Sequence, residues 1–301
     1  MIHPRFVPLL PVLWFVLLMA VRSHEAKACA SCGSGGDDPL ILYPNERHKV
    51  LVGMGSMGGF RNVGPEGEIL TAGGPTRRYT TTMAMGHSFS PRSFATITLP
   101  FVRNVRDGDS RAGMADPSLS ARYTVVMPSI VEPWTPQVQV IGGYRAGSAR
   151  SLRNTEEPKT LLDVLGTGFA EARSGVDLWY GQFATLFGLA HMVSYPVAHV
   201  YDEVTYQPGL AQRSTITIGY RWLPHVKTLI GTNREAHAPI KVEGRPSPDS
   251  DQLNYSTFLT QDYMLNQLTM VRLTASQLGA YGPIKNGVRA STVMVAYMQA
   301  F

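Results

Sequence analysis

The sequence predicts an all-β chain: a single antiparallel, up-and-down transmembrane β-barrel of about 12 strands, following a cleaved signal peptide. Three observations predict it. Apolar and polar residues alternate with a period of two from about residue 47 to the end of the chain. Long connections alternate with tight turns, the habit of barrels that cross a membrane. The polar face of the strands is made of Ser, Thr, Gln, Gly and Arg with almost no lysine, as a wall around water would be.

Composition narrows the classes first. The 301 residues are 44% hydrophobic and only 16% charged, with 29 glycines and 21 prolines. An ordinary soluble domain carries about 25% charged residues. The hydrophobic content excludes a disordered chain, and one apolar stretch alone is too little for a polytopic helical membrane protein. The net charge of +5 is small and scattered, which does not suggest a nucleic-acid partner.

The first element is an address. Arg5 precedes the apolar run Phe6–Val21, broken by Pro8 and Pro11, and Ala26-Lys27-Ala28 supplies a small-residue exit. The run is shorter than the roughly 20 residues of a spanning helix, so residues 1–28 read as a secretory signal cleaved after Ala28. Residues 29–46 are expected as a periplasmic preamble and 47–301 as the barrel. Both cysteines lie in the preamble, as Cys29-Ala-Ser-Cys32. Lys27 argues against a lipid anchor there, and Gly33-Ser34-Gly35-Gly36 against the helix of a redox pair. A small disulfide loop and a soft-metal site on Cys29 and Cys32 remain as two readings.

The strands follow in order. The first, 47–61, contains Gly53-Met54-Gly55-Ser56-Met57-Gly58, which fits a dinucleotide fingerprint but has no helix after it. In 77–89, Tyr79, Met83 and Met85 oppose Arg78, Thr80 and Thr82. In 93–103, Ala95, Ile97, Leu99 and Phe101 oppose Thr96 and Thr98. In 115–127, Leu119, Ala121, Tyr123 and Val125 oppose Ser118, Ser120, Arg122 and Thr124. In 137–147, Val138, Val140 and Tyr144 oppose Gln137, Gln139 and Arg145. Strands 173–187 and 190–202 flank a turn expected at 188–189. In 211–222, Ile216, Ile218, Tyr220 and Trp222 oppose Arg213, Thr215, Thr217, Gly219 and Arg221. Strands 225–233 and 253–264 come next; 266–277 is ambiguous, because Arg272 shares a face with Leu268 and Met270.

Long connections cover 62–76, 104–114, 148–172, 203–210, 234–252 and 278–288, and short ones 90–92, 188–189, 223–224 and 265; 127–136 breaks the pattern. Trp134, Trp222, Tyr123 and Tyr220 lie near the short turns, where rings suit a headgroup layer. The competing architecture is a soluble jelly roll or sandwich, whose outer face should be rich in Lys and Glu. The last strand, 289–301, places Val293, Val295, Tyr297 and Phe301 on one face. Its terminal aromatic resembles the signal read by the barrel-assembly machinery, with Gln299 standing where an apolar residue is usual.

Two stretches carry a family resemblance. Gly113-Met114-Ala115-Asp116-Pro117-Ser118-Leu119-Ser120-Ala121-Arg122-Tyr123 is similar to a glycine–Asp-Pro–Leu–Arg-Tyr strand of the porin-like barrels named as transporters of the meta-pathway of phenol degradation. Leu165-Gly166-Thr167-Gly168 resembles the same family's Gly-Thr-Gly run before a later strand. The resemblance implies an outer-membrane channel of a Gram-negative bacterium.

The function expected is passive diffusion of small solutes, anionic or aromatic, through a lumen lined by Arg78, Arg122, Arg145, Arg213 and Arg221. For each arginine the competing reading is a structural pair with a carboxylate such as Asp116 or Asp177. The alternative function is a scaffold barrel that holds a periplasmic partner or soft metal through Cys29 and Cys32. No cofactor is expected, and no enzyme: Ser194 and His191, three apart in a strand, face opposite sides. The expected partners are outer-membrane lipid, the assembly machinery through Phe301, and a small solute. Whether 148–172 stays outside or folds inward as a plug is left open by the sequence.

Overall fold

The computed structural model describes residues 40–42, 45–70, 75–128, 135–157 and 159–301. The signal segment, Ala28, Cys29, Cys32 and Trp134 lie outside the described residues. Twelve strands form the wall: β1 (His48–Val63), β2 (Arg77–Ser90), β3 (Ser93–Arg106), β4 (Ser118–Val126), β5 (Gln137–Arg145), β6 (Glu171–Gln182), β7 (Thr185–Pro196), β8 (Ala211–Leu223), β9 (Val226–His237), β10 (Gln252–Met264), β11 (Thr269–Leu278) and β12 (Val288–Ala300). Each pairs antiparallel with its sequence neighbours, and β12 pairs back onto β1 from Lys49↔Ala300 to Asn62↔Val288. Reciprocal backbone bonds between His48 and Phe301 finish the seam. The chain therefore forms a closed twelve-strand antiparallel barrel, with no helix among the described residues, as the alternation predicts. Closure removes the unpaired edge that an open sheet would expose.

The two faces of the wall are inverted relative to a soluble protein. Outward positions are apolar and open, with Met54 65%, Ile216 55% and Leu189 52% exposed. Inward positions on the same strands are polar and buried, as with Thr217, Gln139 and Asp177 at 2% each. Outward aromatic residues gather in two rings. Phe89, Tyr123, Phe183, Trp222, Tyr263 and Tyr297 lie toward the short turns, and Tyr79, Phe101, Tyr144 and Tyr195 toward the long loops. An apolar band between aromatic girdles is the arrangement that suits a bilayer.

Three local differences from the sequence reading have physical causes. The β6–β7 turn sits at Phe183-Ala184, with Phe183 at φ 53°, and not at 188–189. Gly188 is no turn residue; it faces the Trp179 ring, whose Cη2 would lie 2.5 Å from any added Cβ. The strand expected over 190–202 accordingly ends at Pro196. The expected 115–127 strand starts late, at Ser118, and the expected connection 104–114 holds a strand arm: β3 pairs first with Asp109–Met114 and then with β4, and Ala115-Asp116-Pro117 interrupts the ladder because Pro117 has no N–H to donate.

The remaining differences lie in the loops. His199–Tyr201, Val204–Gln207, Lys241–Val242 and Arg245–Pro246 form a separate four-stranded sheet from two long connections. Strands of two to four residues carry too little alternation to be read as separate elements; of the four, His199–Tyr201 alone falls in a stretch expected to be strand.

Candidate functional site: the barrel lumen

Burial of the polar face makes the lumen the place where chemistry can be arranged, and it is layered. At the short-turn end one side of the inner wall, from β11 round to β3, is apolar: Leu51, Ala84, Phe94, Met270, Ala296 and Met298 form one cluster with Leu40, Ile41 and Leu42 of the preceding segment. Leu42 lies so close to Gly86 that no Cβ would fit there. Lys49 Nζ donates to the Ile41 carbonyl at 3.1 Å and pairs with Glu46 at 3.0 Å, fixing the segment from the polar side. This layer explains why 266–277 is ambiguous in the sequence, since Met270 and Arg272 both face inward.

Elsewhere on the inner wall, buried ion pairs cross between strands. Arg122 on β4 binds Asp177 on β6 at 2.8 Å, both nearly inaccessible. Asp262 on β10 accepts Arg272 of β11 at 2.7 Å and Lys227 of β9 at 3.0 Å. Gln139 donates to Thr124 at 3.0 Å, and Thr96 and Ser120 share a bond of 2.7 Å. Removing one partner of such a pair leaves an uncompensated charge, at a cost of roughly 3–5 kcal/mol.

Nearer the long loops, β5 to β9 line a cleft of about 80 Å³ containing Arg145, Glu171, Arg173, Arg213, Glu235 and His237. Arg145 Nη2 donates to Glu171 at 2.8 Å, Arg173 binds the other Glu171 oxygen, and Arg213 binds Glu235. His237 Nε2 lies 2.8 Å from Glu235. Three guanidinium groups share this cleft with two carboxylates.

The loop between β5 and β6 folds inward. Asn104, wholly buried on β3, donates to the carbonyls of Leu162 at 2.8 Å and Val164 at 2.9 Å. Arg78 on β2 donates to the Val164 carbonyl at 2.9 Å and to Asn104 Oδ1 at 2.8 Å. Leu165 meets Gly113 so closely that an added Cβ would stand 2.5 Å away. The Asp116 carboxylate, freed inward by the break at Pro117, fastens both ends of the loop. It accepts Ala149 N at 2.8 Å, Thr167 N at 2.7 Å, Thr167 Oγ1 at 3.0 Å and Gly168 N at 3.4 Å. Gly166 has no room for a side chain, because a Cβ would stand 2.5 Å from Asp116 Oδ2, and Gly168 adopts φ 70°. The Asp-Pro stretch and the Gly-Thr-Gly stretch are thus two halves of one clamp.

The structure separates the five arginines singled out in the sequence. Arg145 and Arg213 share the cleft, Arg122 is locked in its own pair, and Arg78 holds the loop. Arg221 lies on the same side of β8 as Thr215 and Thr217, toward the short turns. The carboxylate pairing weighed against a free lumen charge is present for Arg122, Arg145 and Arg213. Asp116 plays no part in it; its ligands are loop donors. Sequence reasoning missed Glu171, Arg173, Glu235, Asp262 and Lys227. Glu171 and Arg173, two apart, were split between loop and strand by an expected start at 173, although their spacing already put them on one face. Among the described residues no group of three or more His, Cys, Asp or Glu is placed to hold a metal.

No family model and no curated protein matches the sequence. Solved structures do match. An outer membrane channel from Pseudomonas putida F1 aligns with a TM-score of 0.66 at 10% identity, covering 89% of this chain and 100% of that one. The KdgM porin in complex with disordered oligogalacturonate aligns at 0.48 with 8% identity, over 84% and 99% of the two chains. The CymD monoaromatic hydrocarbon channel aligns at 0.46 with 8% identity, over 92% and 96%. At such identities the likeness is one of fold. With its apolar exterior, polar interior and closed seam, the chain has the fold of the outer-membrane channels of Gram-negative bacteria.

Proposed function

We propose that this barrel is an outer-membrane channel for passive diffusion of small anionic solutes, aromatic acids among them, with the long loops outside the cell and the start of β1 and the end of β12 on the periplasmic side. One observation carries the proposal: the cleft on β5 to β9 sets three guanidinium groups against two carboxylates, and guanidinium keeps its proton at neutral pH. A residual positive potential in a narrow polar passage favours anions. The inward loop and the Leu40–Leu42 segment narrow the passage at its two ends, which suits small solutes. A relationship to the barrels named for phenol degradation is supported by the clamp, since the two resembling stretches bind each other through Asp116.

Planar-bilayer recording tests the reading. In a salt gradient the purified barrel should give a reversal potential on the anion side, and Arg145→Gln with Arg213→Gln should move it toward cations. Arg122 is unsuitable for this purpose, because Arg122→Glu would press a second carboxylate against Asp177. No conductance above that of the lipid alone, or a reversal potential unchanged by the double substitution, would contradict the proposal.

A further inference from the structure

The outward face of the wall carries a second cationic feature that the lumen does not explain. At the long-loop ends of four consecutive strands stand Arg289 on β12, Arg61 on β1, Arg77 on β2 and Arg103 on β3, all exposed. Register places them on the outer side: Arg61 pairs with Arg289, Gly58 with Arg77, and Tyr79 with Arg103. Arg61 and Arg289 are direct cross-strand partners, so their Cβ atoms are about 4.5–5.5 Å apart. Like charges in that position repel unless an anion lies between them. Among the described residues none of the four forms an ion pair; Arg103 donates only to the Ser110 hydroxyl, at 3.2 Å.

Depth gives the patch its meaning. Descending β2 on the outer side, Arg77 is followed by Tyr79, Thr81, Met83 and Met85; descending β3, Arg103 is followed by Phe101, Leu99 and Ile97. The arginines therefore cap an aromatic layer that caps an aliphatic one, which is the level of lipid headgroups. The patch is also dense. At the same ends of β5 to β9 the outward residues are Tyr144, Ala172, Tyr195, Gln212 and a single arginine, Arg234.

We infer that Arg61, Arg77, Arg103 and Arg289 form a docking surface for a phosphate-bearing lipid of the outer leaflet, of the lipid A class, seated over the β12–β1 seam and the adjoining β2 and β3. Guanidinium forks match phosphate oxygens in pairs, and a diphosphorylated headgroup supplies the anion that the facing Arg61 and Arg289 lack. The inference rests on the outer-membrane reading, because only that orientation brings the long-loop ends to the outer leaflet.

The test uses the full mature barrel in detergent, shown to be folded by heat-modifiable migration, with diphosphoryl lipid A as probe and native mass spectrometry as readout. The wild-type barrel should retain the lipid, and its fully dephosphorylated form should bind at least about tenfold more weakly. Arg61→Gln with Arg289→Gln should lower retention, and adding Arg77→Gln and Arg103→Gln should bring it to the dephosphorylated level. Arg234→Gln, outward on the distant β9, should change nothing. A folded quadruple variant that binds as the wild type does, or equal binding of both lipid forms, would overturn the patch while leaving the barrel intact. Complete displacement by millimolar inorganic pyrophosphate would mean a free-anion site and overturn the lipid assignment. A wild-type chain with no heat-modifiable species would instead refute the outer-membrane reading beneath it.

Discussion

Asp116 illustrates how one side chain can set the shape of a passage. Four donors from two ends of one loop converge on its carboxylate, and each such bond to a charged group is worth roughly 1.5–3 kcal/mol. Asp116→Ala should therefore free residues 146–170 without unfolding the wall, seen as larger, noisier single-channel conductance and faster amide exchange confined to that loop. Unchanged conductance would mean that the loop does not narrow the passage. Asp163 gives the same loop its pH dependence. Burial pushes its carboxyl up, but hydrogen bonds from Thr155, the Glu156 N–H and Arg150 outweigh that and hold it below its ordinary value. A carboxylate held low in the folded state stabilises above its unfolded pKa, near 4, and that stability is lost as pH falls through the folded value. Amide exchange within 146–170, corrected for its intrinsic pH dependence, should accordingly stay constant from pH 7 to 5 and rise only below about pH 4; a rise centred near pH 6 would point to a histidine instead. For the buried pair, Asp177→Asn should cost roughly 3–5 kcal/mol by removing the countercharge that Arg122 binds, while Arg122→Met with Asp177→Leu should cost far less, read from urea midpoints of the folded band.

At the scale of elements, legibility in the sequence follows periodicity. Strands such as β4 and β8 declare both faces because apolar and polar residues alternate over most of their length, and their inward arginines are visible for the same reason. Where the period fails, so does the reading. Gly188 looks like a turn glycine until Trp179 is seen to need its space. Met270 looks misplaced until the apolar end of the lumen, filled by Leu40–Leu42, gives it a neighbour. That segment did leave a trace, a run of three aliphatic residues in an otherwise polar stretch, but nothing in the sequence says that it enters the barrel. The Asp116 clamp was present as two separate motifs, fifty residues apart in the chain, whose contact only folding reveals. The Leu40–Leu42 element also carries a prediction. Leu40→Ser with Leu42→Ser should weaken its packing against Leu51, Phe94 and Met298 and raise single-channel conductance, with no shift in ion preference because the cleft on β5 to β9 is untouched. Conductance equal to wild type would show that the segment does not limit flow.

For the whole molecule, the deciding quantity is which medium the outward side chains meet. A closed sheet satisfies its own backbone, so the apolar outer face can rest against acyl chains with no stranded donor, and the two aromatic rings bound that face above and below. The lumen, the clamp and the arginine cap all take their meaning from this inversion. The most direct measurement is fractionation of cells expressing the full chain, followed by electrophoresis of the membrane fraction with and without boiling. The account predicts recovery with the outer membrane, solubility only in detergent, and a compact unboiled band that migrates faster than the boiled one. Recovery of the protein in the soluble periplasm, stable without detergent and with a single band under both conditions, would contradict it.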